Sequence, residues 1–153
     1  MANRFFQQFQ GSLQKKVVTL FAKVTFDGSG VATVVTSEQI LVGSNPTTIN
    51  PSSGFVGGTI TSTGTPKVYA FALQDPYVRL LSAHAVTDGV ASGTAKVALG
   101  CGVLVDSVNS QNAPSLSIGF QSLDVGSGTI AFGTTLTDCT VLLRLDLSNT
   151  TAP

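Results

Sequence analysis

The chain has 153 residues, and its eight basic and eight acidic side chains make up 10% of it and cancel to a net charge of zero, whereas an ordinary soluble domain is about 25% charged. This excludes the basic field that nucleic acid or an anionic membrane surface would need. One histidine, one glutamate and no tryptophan leave little for conventional enzyme chemistry. The length suits one domain, and mean hydropathy is positive at +0.34, yet no apolar run approaches the roughly 18 residues of a membrane span.

In chain order, the opening segment places Phe5, Phe6, Phe9 and Leu13 so that a short helix from near Asn3 would carry them on one side, while Gly11 makes an extended arm an equal alternative. Glutamines stand where a signal peptide has its apolar stretch, so residues 1–15 read as an arm and not as a secretion signal. Residues 16–26 alternate strictly, with Val18, Leu20, Ala22, Val24 and Phe26 on one face, as in a half-buried strand. Asp27-Gly28-Ser29-Gly30 then reads as a hairpin turn.

Shorter strands are expected at 31–36, 55–61, 67–73, 82–86, 115–120 and 129–132, and residues 43–66 form a long excursion with Phe55 nearly alone as its aromatic. Asp75-Pro76 at the head of residues 75–81 predicts a helical turn, Asp as N-cap and Pro at the first helical position. Residues 96–106 predict a strand facing inward through Val97, Leu99, Cys101, Val103 and Val105, with Gly100 and Gly102 marking a bulge or a close neighbour. Residues 139–147 alternate most cleanly of all. The sum is an all-β, antiparallel sandwich or jelly roll at residues 16–148, preceded by the arm or short helix and followed by a tail at 149–153.

Chemistry is hard to place on this frame. His84 lies among small strand residues and reads as a histidine that is hydrogen-bonded or faces water. Cys101 and Cys139 read as two thiols of a reducing compartment. Asp27, Asp88, Asp106, Asp124 and Asp138 are scattered turn residues with no calcium-loop spacing, and no zinc-type spacing occurs. No cofactor and no metal are expected, and the chain is expected not to be an enzyme. A surface poor in charge lacks the usual protection against association, so the arm residues Arg4, Phe5, Phe6 and Phe9 are expected to dock on a partner.

Two stretches carry a resemblance: Arg4-Phe5-Phe6-Gln7-Gln8-Phe9 with residues 13–26, and Leu73-Gln74-Asp75-Pro76-Tyr77-Val78-Arg79-Leu80-Leu81. Together they resemble the small virion structural proteins of tailed bacteriophages, toward the capsid decoration or cement type. The resemblance implies a β-rich, non-enzymatic protein, assembled in the host cytoplasm and bound as a homo-oligomer to the outside of the major capsid protein lattice of the virion, with no nucleic acid or membrane partner. It places the docking arm at Arg4, Phe5, Phe6 and Phe9. The alternatives are a receptor- or glycan-binding sandwich of a virion fibre or spike and a self-assembling jelly-roll coat protein.

Overall fold

The computed structural model describes residues 17–149, so the arm residues Arg4, Phe5, Phe6 and Phe9 lie outside the described part. Within it run β1 (Val17–Phe26), β2 (Ala32–Val34), β3 (Glu38–Val42), β4 (Asn45–Ile49), β5 (Gly58–Ile60), β6 (Tyr69–Ala72), β7 (Arg79–Val90), β8 (Lys96–Ser107), β9 (Ser115–Asp124), β10 (Ile130–Phe132) and β11 (Cys139–Ser148). No helix occurs among the described residues.

The two cleanest alternating segments are hydrogen-bonded neighbours. β1 and β11 pair antiparallel from Val17↔Ser148 to Phe26↔Cys139 without a break. Because both alternate with period two, this register puts Val18, Leu20, Ala22, Val24 and Phe26 on the same face as Leu147, Leu145, Leu143, Val141 and Cys139, and all ten are buried. Each such aliphatic contributes about 1.5–3 kcal/mol over its exposed state. β2 and then β5 extend the sheet beyond β1, and β7 extends it beyond β11, giving the order β5-β2-β1-β11-β7.

The second sheet is built on β9. β8 runs along one side of it, while β6 and β10 share the other side end to end, β6 against residues 115–118 and β10 against residues 121–123. The two sheets meet face to face through an aromatic cluster. Phe26 of the first sheet sits edge-on to Tyr69 and Phe120 of the second, with ring centroids 5.2 and 5.7 Å away. The architecture is an antiparallel β-sandwich, as the alternation predicts. Along one margin β7 and β8 lie close, and Thr87 Oγ1 donates to the Ala98 carbonyl across the seam at 2.9 Å.

Turn chemistry follows the sequence. Asp27 Oδ1 accepts the Ser29 and Val31 amides at 2.8 and 2.9 Å, and Asp124 Oδ1 accepts those of Gly126 and Ser127, each at 3.0 Å.

Four expectations need correction. Residues 75–81 form no helical turn: the Tyr77 amide donates to Val108 O at 2.8 Å and the Val78 amide to Ser148 O at 2.9 Å, and the Tyr77 side chain is buried. Tertiary partners thus take the two amides that an Asp75 cap would have bonded, and β7 starts at Arg79 and runs to Val90. Phe55 is no loop aromatic. It is fully buried and edge-on to Phe71 at 6.3 Å. On β8, register shifts between Ala98 and Gly100 and between Val103 and Val105 break the alternation, so Leu99 and Val105 face solvent instead of the core. The excursion from 43 to 66 also conceals the return strand of a hairpin, β3–β4.

Candidate interaction surfaces

Cross-strand rows on the outer face of the first sheet gather most of the polar chemistry described here. Asp146 pairs with Thr19 on one side and Ser82 on the other; the next row holds Phe21, Arg144 and His84, and the next Lys23, Leu142 and Val86. Thr19 Oγ1 donates to Asp146 Oδ1 at 2.7 Å, Ser82 Oγ donates to Oδ2 at 2.7 Å, and Arg144 donates to Oδ1 through Nε and a terminal nitrogen at 3.2 and 3.1 Å. The Thr19 hydroxyl foremost, then Ser82 and Arg144, hold the Asp146 carboxyl below its ordinary value.

A serine, a histidine and an aspartate thus share one sheet face, as a nucleophile relay would require. The serine proton, however, goes to the carboxylate, so Ser82 has no base to activate it in this arrangement. His84 is exposed on β7 opposite Arg144. Among the described residues no three His, Cys, Asp or Glu side chains come together as a metal site.

Both cysteines are free thiols, on different sheets. Burial, with a smaller contribution from the Asp138 charge, pushes Cys139 up to about 11, and burial also raises Cys101. An open groove of about 370 Å³ lies at the end of the first sheet between Phe26, Val90, Ala91 and Cys139, and no charged side chain lines it.

Two surfaces stand out because, apart from Glu38 at the base of the first, they carry no charge. The first is the hairpin β3–β4, a two-stranded ribbon outside both sheets. Gly43 and Ser44 turn it, with Gly43 at φ +65°, the left-handed geometry that glycine adopts at the first position of a two-residue hairpin turn. Residues 39–50 are all exposed and none is charged. Ile40, Val42 and Ile49 line one face and Leu41 with Pro46 the other, and Leu41 is 75% exposed. The base is tied to β1: Lys23 Nζ donates to Glu38, and Ser52 Oγ accepts the Lys23 amide at 3.0 Å.

The second surface is the outer face of the second sheet. Its rows are Ala70, Ser117 and Val105; Gly119 and Gly102; and Phe132, Gln121 and Gly100, with no ionisable group among them. The Phe132 ring spans the two glycines. A Cβ on Gly119 would lie 3.0 Å from both Phe132 Cζ and Leu104 Cδ1, and one on Gly102 would lie 3.3 Å from Phe132 Cζ. The close neighbour expected at Gly102 is therefore this ring, which stays 50% exposed.

Sequence reasoning missed the hairpin, although a legible signal was present. Gly43-Ser44 between Gln39-Ile40-Leu41-Val42 and Thr47-Thr48-Ile49 is a hairpin pattern, masked by Pro46. Compared with known proteins, the chain matches no family model, no curated protein and no solved structure.

Proposed function

We propose that this chain is a non-catalytic virion structural protein, a capsid decoration or cement protein that binds the outside of the major capsid protein lattice and strengthens the head. One observation carries the reading: a domain whose core is already closed by two sheets still offers water a hairpin uncharged from Gln39 to Asn50 and an uncharged run of outer-face rows on the second sheet. Large apolar side chains left exposed on uncharged surface suit contact with a partner. A protein acting through many modest contacts gains interface free energy at each copy and needs no turnover. The low charge and the resemblance of residues 4–9, 13–26 and 73–81 to small phage virion proteins point the same way.

The test is electron microscopy of native particles, paired with their rupture temperature with and without the chain. Density on the outer shell and a lower rupture temperature in its absence are expected. Particles that exclude the chain, or rupture identically without it, overturn the reading. A second reading, a glycan-binding module, draws on the half-exposed Phe132 ring above its glycine floor. Binding on a glycan array that is lost in Phe132→Ala would favour it instead.

A further inference from the structure

We propose that copies of this chain associate with one another, the β3–β4 hairpin of one copy lying on the charge-free outer face of the second sheet of the next. The inference rests on the reading of the chain as an association domain and names the partner of that surface as a second copy.

Electrostatic matching supports this choice. An uncharged hairpin that covers a charged surface strips water from its ions and offers them no hydrogen-bonding partner in return. The outer face of the first sheet presents Lys23, Arg144, Asp146 and His84. The outer-face rows of the second sheet from Val105–Ser117–Ala70 to Gly100–Gln121–Phe132 present none, so of the two faces only the latter accepts the Leu41 and Pro46 side of the hairpin without covering a charge. Arm and face thus complement each other within a single sequence, whereas docking on an unrelated protein would call for only one of them.

The arm does not cover its own face. Its base is held on β1 of the other sheet through Lys23–Glu38 and Ser52, and Leu41 and Phe132 both remain open to solvent. An isolated two-stranded ribbon is marginal in water, and burial against a neighbour removes that cost. As an extended chain a hairpin of about 1.2 kDa would expose about 1,800 Å², but paired as a ribbon it exposes less, so one side laid down gives a contact at the small, reversible end of the interface range.

The experiment is sedimentation velocity of the full chain from low to high micromolar concentration, with Leu41→Asp in the arm, Gln121→Lys in the face and Leu142→Lys on the first sheet as control. All three positions are exposed, so folding is retained and circular dichroism verifies it. The native chain is expected to self-associate, with L41D and Q121K each weakening the dissociation constant at least about tenfold and L142K leaving it unchanged. A second measurement fixes the geometry: in a Cys101→Ser background, mixing Leu41→Cys and Ser117→Cys chains under oxidation should give a disulfide between unlike chains. A native chain that stays monomeric throughout, association untouched by L41D, or no such cross-link overturns the inference. Monomers that still occupy shells would remove this contact and leave the decoration reading standing; self-associating chains that ignore shells would do the reverse.

Discussion

Gly30 offers the sharpest test of the packing described above. It closes the turn between β1 and β2 at φ +78°, and its carbonyl accepts the buried Tyr69 hydroxyl at 3.1 Å. A Cβ added there would lie 1.8 Å from Thr135 Cγ2 and 3.1 Å from the Leu136 carbonyl. Gly30→Ala therefore meets two separate penalties. The left-handed conformation costs a residue with a Cβ about 1–2 kcal/mol, and displacing the Thr135 methyl in a packed interior costs about 1–3 kcal/mol. The expected loss is about 2–5 kcal/mol, which at about 2–4 °C per kcal/mol for a domain of this size lowers Tm by roughly 4–20 °C.

Urea unfolding followed by circular dichroism measures the loss, and Thr135→Ser separates the two penalties because it deletes Cγ2 and keeps the hydroxyl. In the double variant the steric share should return, a coupling of at least about 1 kcal/mol, while the backbone share persists. A Gly30→Ala chain within about 0.5 kcal/mol of native, or strictly additive effects, would refute the reasoning.

Asp146→Asn should destabilise the fold by about 1–2 kcal/mol at neutral pH, since it removes a charged acceptor from Thr19, Ser82 and Arg144. Its folded carboxyl titrates below the unfolded value of about 3.9, so the stabilisation is fully present above that value and fades as pH falls through the depressed one. Unfolding curves of native and D146N chains should therefore converge in acid. Neither thiol should react appreciably with a disulfide reagent at neutral pH in the folded chain, Cys139 least of all, and both should react on unfolding; rapid native labelling of Cys139 would contradict its burial and raised pKa. Lys23→Met breaks a half-buried surface ion pair and should cost about 1 kcal/mol globally. Amide exchange in residues 38–49 should nonetheless quicken, because that pair ties the hairpin base to β1.

Where two strands alternate without interruption, local pattern and final placement agree. β1 and β11 were legible to within a residue because a period of two, once one face is apolar, admits a single register against the core. The Asp27 and Asp124 turns were legible for a similar reason, the carboxylate bonding amides only two to four residues away. β8 shows where such reasoning stops. Two register shifts transfer Leu99 and Val105 to solvent, and their positions depend on how β9 lies alongside.

The same division holds for the rest of the molecule. By itself the sequence determined an all-β, antiparallel, charge-poor chain, because those properties follow from composition and from contacts close in sequence. Only the tertiary structure decided that Phe55 belongs to the core, that the Tyr77 and Val78 amides bond to distant carbonyls instead of forming a helical turn, that Ser82 bonds Asp146 and not His84, and that Phe132 rests on two glycines from other strands. Each of these depends on residues far apart in the chain, whose meeting is set by strand order and sheet packing and leaves no local trace in the pattern of residues.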